Sequence, residues 1–194
     1  MNWTVDAIRA AHPGATVEVW AQDEHRIGLK PVQRRVWLLP DMAPVAPVWP
    51  RYKWCYVVGW VRPETGDSYW LLVPRIGTDV YSQVLAEFAQ AHGLGTDRHI
   101  VLVVDQASWH TSGKLVIPEG LHLVFLPAYS PELQPAERLW ELIDEVVANR
   151  VVTTLDALLD RLSERCRVVQ RQTVALAGRT CFHWWPRQAL ASGM

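Results

Sequence analysis

Two apolar, strand-like segments of this chain run straight into acids, and a later helix carries a third. Residues 101–105 read VLVVD and close a hydrophobic run on the carboxylate of Asp105. Residues 17–23 read VEVWAQD and stop at Asp23, with Glu24 next in line. Downstream, the proline-punctuated stretch FLPAYSPELQPAERLW opens a helix that bears Glu137. Carboxylates that end rigid strands, met by one from a helix, supply the all-oxygen ligation that Mg²⁺ prefers, completed by water and substrate phosphate. Two such ions about 3.5–4 Å apart can clamp the attacking and leaving oxygens of an in-line displacement at phosphorus. The pattern points to Mg²⁺-dependent phosphoryl-transfer chemistry rather than to a binding module.

Each acid has competitors. Glu24 adjoins Asp23, and neighbouring strand residues face opposite sides, so only one of the two can turn to a shared site. Glu132 lies in the loop before the helix, and Glu141 stands one turn beyond Glu137 on the same helix face. One acid taken alone is more often a solvated charge or a helix-start carboxylate. The triplet Asp23, Asp105 and Glu137 stands out because two of its members end apolar strands. His110, in DQASWH, could orient a phosphate or a neighbouring carboxylate, although a lone histidine is more often structural. Tyr129 and Ser130, in PAYSPEL, read more strongly as turn residues than as phosphate contacts. No serine–histidine–acid order, G-x-S-x-G elbow or phosphate-cradling glycine loop is present, which argues against acyl hydrolysis.

The elements that must position these acids can be read from periodicity. Residues 53–61 (KWCYVVGWV) and 67–73 (DSYWLLV) are aromatic and β-branched, and RPETG between them has hairpin-turn chemistry. With residues 17–23 they predict three antiparallel strands. Residues 79–92 place Val80, Val84, Leu85, Phe88 and Ala91 at helical spacing, with Gly93 as the cap. Residues 99–105 and 121–126 are the next two strands, the first apolar enough to be buried on both faces. Helix signals resume at Pro135 and continue to about Asn149. A last helix is predicted over 154–169, with Leu155, Leu158, Leu159, Leu162, Cys166 and Val169 in one stripe that packs by default on its own sheet. Residues 31–50 are proline-rich and read as an extended loop with one short strand at most. The order predicts an α/β domain with a mixed five-stranded sheet flanked by helices.

Composition sets outer limits. The 194 residues are 49% hydrophobic and 20% charged, ordinary for one globular domain. The net charge of −1 is not that of a strongly basic nucleic-acid binder, so contacts with DNA would have to come from local patches. The N-terminus lacks the basic start and apolar run of a signal peptide, and no apolar stretch is long enough to span a bilayer. Cys55, Cys166 and Cys181 are odd in number and widely spaced, which fits a reducing cytoplasm and neither a disulfide framework nor a zinc site. Eleven tryptophans suggest a Trp-rich core, with a few indoles free to stack on bases.

Taken together, WAQDEHRIGLKPVQRRVW, RYKWCYVVGWVRPETGDSYWLL, VLVVDQASWH and FLPAYSPELQPAERLW resemble the catalytic domain of DDE transposases. They are most similar to the bacterial insertion sequence 630 family, relatives of the mariner elements. The resemblance covers about residues 17–149, in the family's order, and leaves residues 150–194 as a helical extension. Thirty-one residues separate Asp105 from Glu137, close to the family's usual spacing. Gln106 and Gln134 stand where the family commonly carries asparagine.

The resemblance implies a ribonuclease-H-like fold and selects Asp23, Asp105 and Glu137 as the catalytic and metal-binding triad. It implies two Mg²⁺ ions, for which Mn²⁺ can substitute, DNA hydrolysis at transposon ends, and attack of the freed 3′-hydroxyl on target DNA. Arg34, Arg35, Arg51, Lys53 and His110 are the candidates for DNA contact. Family members carry helix-turn-helix DNA-binding modules ahead of the first acid, and only some twenty residues precede Asp23 here. The expected partners are therefore DNA and either a second copy on paired DNA ends or a chain supplying the recognition region. The alternative expectation is a truncated or decayed relative that binds DNA or a partner transposase without cutting.

Overall fold

Strand β1 (Thr16–Gly28) alternates its side chains between two cores, and that alternation makes it the middle of the molecule. Val17, Val19, Ala21 and Ile27 enter one core, and Trp20 enters the other. The computed structural model describes residues 2–30, 32–35 and 51–186. β2 (Trp54–Arg62) and β3 (Asp67–Val73) continue antiparallel from one edge of β1. β4 (Arg98–Val104) and β5 (Leu121–Phe125) run parallel from its other edge, giving the sheet order β3-β2-β1-β4-β5. The expected three antiparallel strands and two further strands are all present. The Gly66 of the β2–β3 turn has φ +78, and a Cβ there would meet the backbone of Thr173, so only glycine serves.

Helices cover both faces. α2 (Thr78–Ala91) lays Tyr81, Val84, Leu85 and Phe88 on Trp20, Val58 and Trp60, and Trp60 stacks on Phe88 at 4.9 Å. It ends as a glycine cap should: Gly93 has φ 61, and the Gly93 and Leu94 amides donate to Gln90 and Ala89. The opposite face carries α3 (Glu137–Asp144), α4 (Leu155–Gln170) and α5 (Thr173–Thr180). The α4 stripe is spent on this core through Leu158, Leu162, Cys166 and Val169, and the Thr154 hydroxyl caps it by accepting from the Ala157 amide. Trp20, Trp60, Trp140 and Trp185 are buried, so part of the tryptophan content does build the core.

Four expectations need correction or fall elsewhere. β1 does not stop at Asp23, because its pairing with β2 runs on to Gly28 and holds Asp23 and Glu24 within the strand. α3 starts at Glu137 rather than Pro135 and ends at Asp144 rather than near Asn149, where a left-handed residue (φ 55) turns the chain toward Val32. Two helices went unread, α1 (Asn2–Ala11) at the start and α5 in the stretch before the C-terminus. The reading of 31–50 as an extended loop lies largely outside the described residues. Among the described residues, no helix is long and apolar enough to cross a membrane.

Gly59, opposite Asp23 on β2, lets α3 close on the sheet. A Cβ there would lie 3.0 Å from the rings of both Trp140 and Trp70 and 3.3 Å from Leu139. Gly59→Ala is expected to cost about 1–3 kcal/mol by overpacking, seen as a lower midpoint in urea unfolding.

Candidate active site

The two edges of β1 are covered over different lengths. Pairing with β4 ends at Ala21 opposite Val103, whereas pairing with β2 continues seven residues further, to Gly28. Just past the end of β4 coverage the sheet opens into a cleft of about 380 Å³. Asp23, Asp105 and Glu137 line it together with Gln106, Gln134 and Tyr129. Glu24, Glu132 and Glu141 do not: Glu24 faces the other side of the sheet, Glu132 is exposed on the turn Pro131–Leu133, and Glu141 meets Arg179 in solvent.

The three acids sit in different surroundings. Asp23 is buried, and the Trp140 indole N–H donates to its Oδ2 at 2.8 Å. Burial, with the charges of Glu24 and Glu137 adding to it, pushes its carboxyl up to about 8, although the Trp140 hydrogen bond pulls the other way. Asp105 follows β4 directly and is half exposed. Its Oδ1 accepts from His110 Nδ1 at 2.7 Å and from the Ala107 amide at 3.0 Å, and the His110 bond holds it below the usual carboxylate range. Glu137 is the first residue of α3, raised by partial burial and by Asp105, with His25 opposing.

His110 is not on a DNA-facing surface. Its side chain is wholly buried, and Nε2 reaches Glu24 Oε1 at 3.0 Å while Nδ1 holds Asp105. Burial alone would depress the imidazole, but the bonds to Asp105 and Glu24 outweigh it and lift it to about 9. It thus lies buried between two carboxylates, and its Nδ1 bond fixes Asp105. Arg34 is turned to structure as well: its guanidinium donates to the Glu141 carbonyl at 2.7 Å, and its backbone is clasped by Asn149. Arg51 reaches the Thr153 carbonyl at 3.3 Å, and Arg35 and Lys53 are exposed. None of these four lines the cleft.

Three supporting residues escape sequence reading. Trp140 stands on the same helix face as Glu137 and is itself stacked on His25 at 5.0 Å, which Asp144 holds at 2.9 Å. Gln134 is buried and donates to the backbone carbonyl of Gln22 at 3.0 Å, tying the loop to β1 beside Asp23. Tyr81 donates to the Gln22 side chain and packs its ring on His110 at 4.4 Å. In the sequence, Gln134 stands out only as an amide where the family commonly carries asparagine.

The donor chemistry of the cleft fits a hard divalent cation: three carboxylates, no thiolate, and two carboxyls raised above their ordinary range by burial first and then by neighbouring acids. Among the described residues no three acidic, histidine or cysteine side chains stand close enough to enclose an ion by themselves. The remaining positions would fall to water and substrate oxygens, as is usual for Mg²⁺.

A mixed five-stranded sheet with helices on both faces, and acids gathered where the central strands part, is a ribonuclease-H-like arrangement. Residues 18–159 match the family model of the DDE superfamily endonucleases, and the chain belongs to that family. It is 36% identical over 107 residues to the uncharacterized protein y4pE/y4sA of Sinorhizobium fredii (strain NBRC 101917 / NGR234), an alignment covering 55% of this chain and 78% of that one. Among solved structures it is similar to the Mos1 mariner transposase paired-end complex with Mn. There the TM-score is 0.62 at 16% identity, covering 91% of this chain and 58% of that one. The Mos1 paired-end complex with the left transposon end gives 0.59 at 15% identity, with 92% and 57% covered. The chain thus spans little more than half the length of these transposase chains, and at such identity the likeness shows the fold.

Two predictions follow from the electrostatics. Because the folded-state carboxyl of Asp23 lies above its ordinary value of 3.8, it weakens the metal-free fold progressively as pH rises from about 4 to about 8. Asp23→Asn should therefore raise the melting temperature of metal-free protein at pH 8, by about 2–4 °C per kcal/mol relieved, and change it little at pH 4. The raised His110 works in its own window: its contribution is full below pH 6.5 and lost as pH passes about 9. His110→Ala, which removes the partner that Glu24 and Asp105 share, is expected to cost about 3 kcal/mol at pH 6 and clearly less at pH 10, measured by denaturant unfolding.

Proposed function

We propose that this chain is the catalytic domain of a transposase. It hydrolyses DNA phosphodiester bonds at transposon ends and joins the freed 3′-hydroxyl to target DNA. The observation that carries the reading is the meeting of Asp23, Asp105 and Glu137 along one cleft in a chain of the DDE superfamily endonuclease family. The names of the similar structures, a Mos1 paired-end complex with a transposon end and a Mos1 strand transfer complex, support DNA as partner and an assembly on paired ends. The Mn and Mg forms of that complex support a divalent cofactor. The partner is then a second copy or a chain that supplies DNA recognition.

Asp23, Asp105 and Glu137 would hold Mg²⁺ or Mn²⁺, which supplies charge stabilisation at the phosphoryl oxygens and activation of the attacking oxygen. The chain's own residues prepare that site. The Trp140 indole holds Asp23 through its Oδ2. His110 and the Ala107 amide keep Asp105 ionised and in one orientation. Glu137 stands exposed in the first turn of α3, at the open side of the cleft. Preorganised charge of this kind needs little rearrangement when the substrate arrives.

The test is Mg²⁺-dependent nicking of supercoiled plasmid. Asp105→Ala should lower the rate about 10³-fold or more, the scale on which a lost transition-state contact acts. Glu141→Gln, one turn past Glu137 but outside the cleft, should cut at the wild-type rate. Undiminished nicking by Asp105→Ala would overturn the reading.

A further inference from the structure

Among the described residues that line the cleft, three are acids, none is basic, and Tyr129 alone is aromatic. A nucleotide strand on this wall meets carboxylates and the neutral side chains of Gln106, Gln134 and Ser130, with no basic side chain among them. Among the described residues, Tyr129 differs from every other large hydrophobic residue in two ways. It is completely exposed, at 102% of its reference area, and its backbone is left-handed at φ 58. That region is unfavourable for an aromatic residue, and an exposed side chain recovers nothing by burial. Pro127 and Pro131, both in the cleft wall, flank it and limit the loop's freedom to relax. The chain thus holds an exposed aromatic ring beside its acids, on a backbone whose strain no burial repays.

We propose that Tyr129 is a stacking platform for a nucleobase of the substrate strand next to the reacting phosphate. The inference rests on the DNA-cutting reading above. Every base offers a π-face, so a single ring binds a nucleotide without requiring positive charge and without reading sequence. In intact duplex both faces of each base are already covered by neighbours. Tyr129 can engage only a base freed from its stack, so the cleft selects DNA that is frayed, mismatched or distorted at the cut.

Two DNA duplexes test this, one fully paired and one mismatched over two base pairs at the centre, each with 2-aminopurine at the mismatch position. They are titrated with full-length chain in Ca²⁺ buffer at low salt. The wild type and Tyr129→Phe should bind the mismatched duplex about ten-fold or more tighter than the paired one, with a change in 2-aminopurine fluorescence. Tyr129→Asn, whose side chain tolerates the left-handed backbone, should lose both the preference and the fluorescence change while keeping its melting temperature. An unchanged preference in Tyr129→Asn would overturn the proposal and leave the transposase reading standing. Loss in Tyr129→Phe as well would assign the effect to the hydroxyl and overturn stacking. Wild-type chain that binds neither duplex, and nicks no plasmid with Mg²⁺, would remove the DNA reading itself.

Discussion

The unequal pairing of β1 is the constraint from which the site follows. A strand covered on both edges along its whole length would bury Asp23 in an unbroken sheet. Here β4 leaves at Val104 while β2 keeps β1 straight to Gly28, so one edge of β1 is bare from Gln22 onward. Bare strand edges expose backbone groups that need partners. The Gln134 side chain meets that need at the Gln22 carbonyl, and in doing so it draws the loop before α3 against β1. The helix start, and Glu137 with it, is thereby set over the opening. The amide that satisfies a strand edge also sets the third carboxylate.

Charge in the site is arranged in a sequence of unequal acids. Glu24 and Asp105 share the buried His110, whose bond lowers the Asp105 carboxyl, whereas burial raises Asp23 against the bonds from the Trp140 indole and the Glu24 backbone. Without a cation the cleft carries more negative charge than its partners offset. This is the electrostatic counterpart of the packing at Gly59, where Trp140 and Trp70 sit within contact of β2. Both features hold the acids rigidly at some expense of stability, a pattern typical of functional sites.

How much of this could be read in advance depends on the range of the interaction. The strands and α2 were legible because period and apolar runs are local properties, and the Gly93 cap lies within two residues of the helix it ends. Asp105 was legible because an acid ends an apolar run. Asp23 and Glu137 could be told from Glu24 and Glu141 only through the family resemblance. What stayed hidden joins distant parts of the chain: Trp140 to Asp23 across 117 residues, and His110 to Glu24 across 86. Periodicity says which face a residue takes, not which partner awaits it there. The misread end of β1 has the same origin, since local alternation does not reveal that β2 extends the strand to Gly28.

The stretch between β1 and β2 leaves and returns through fixed footings. The Leu29 amide donates to the Lys53 carbonyl, Asn149 clasps both backbone groups of Arg34, and Arg51 reaches Thr153. Both ends of that stretch are thus tied to described parts of the fold. Closing a loop twice as long costs only about 0.6 kcal/mol more. The footings mark where one excursion of the chain could be lengthened or shortened at little entropic cost.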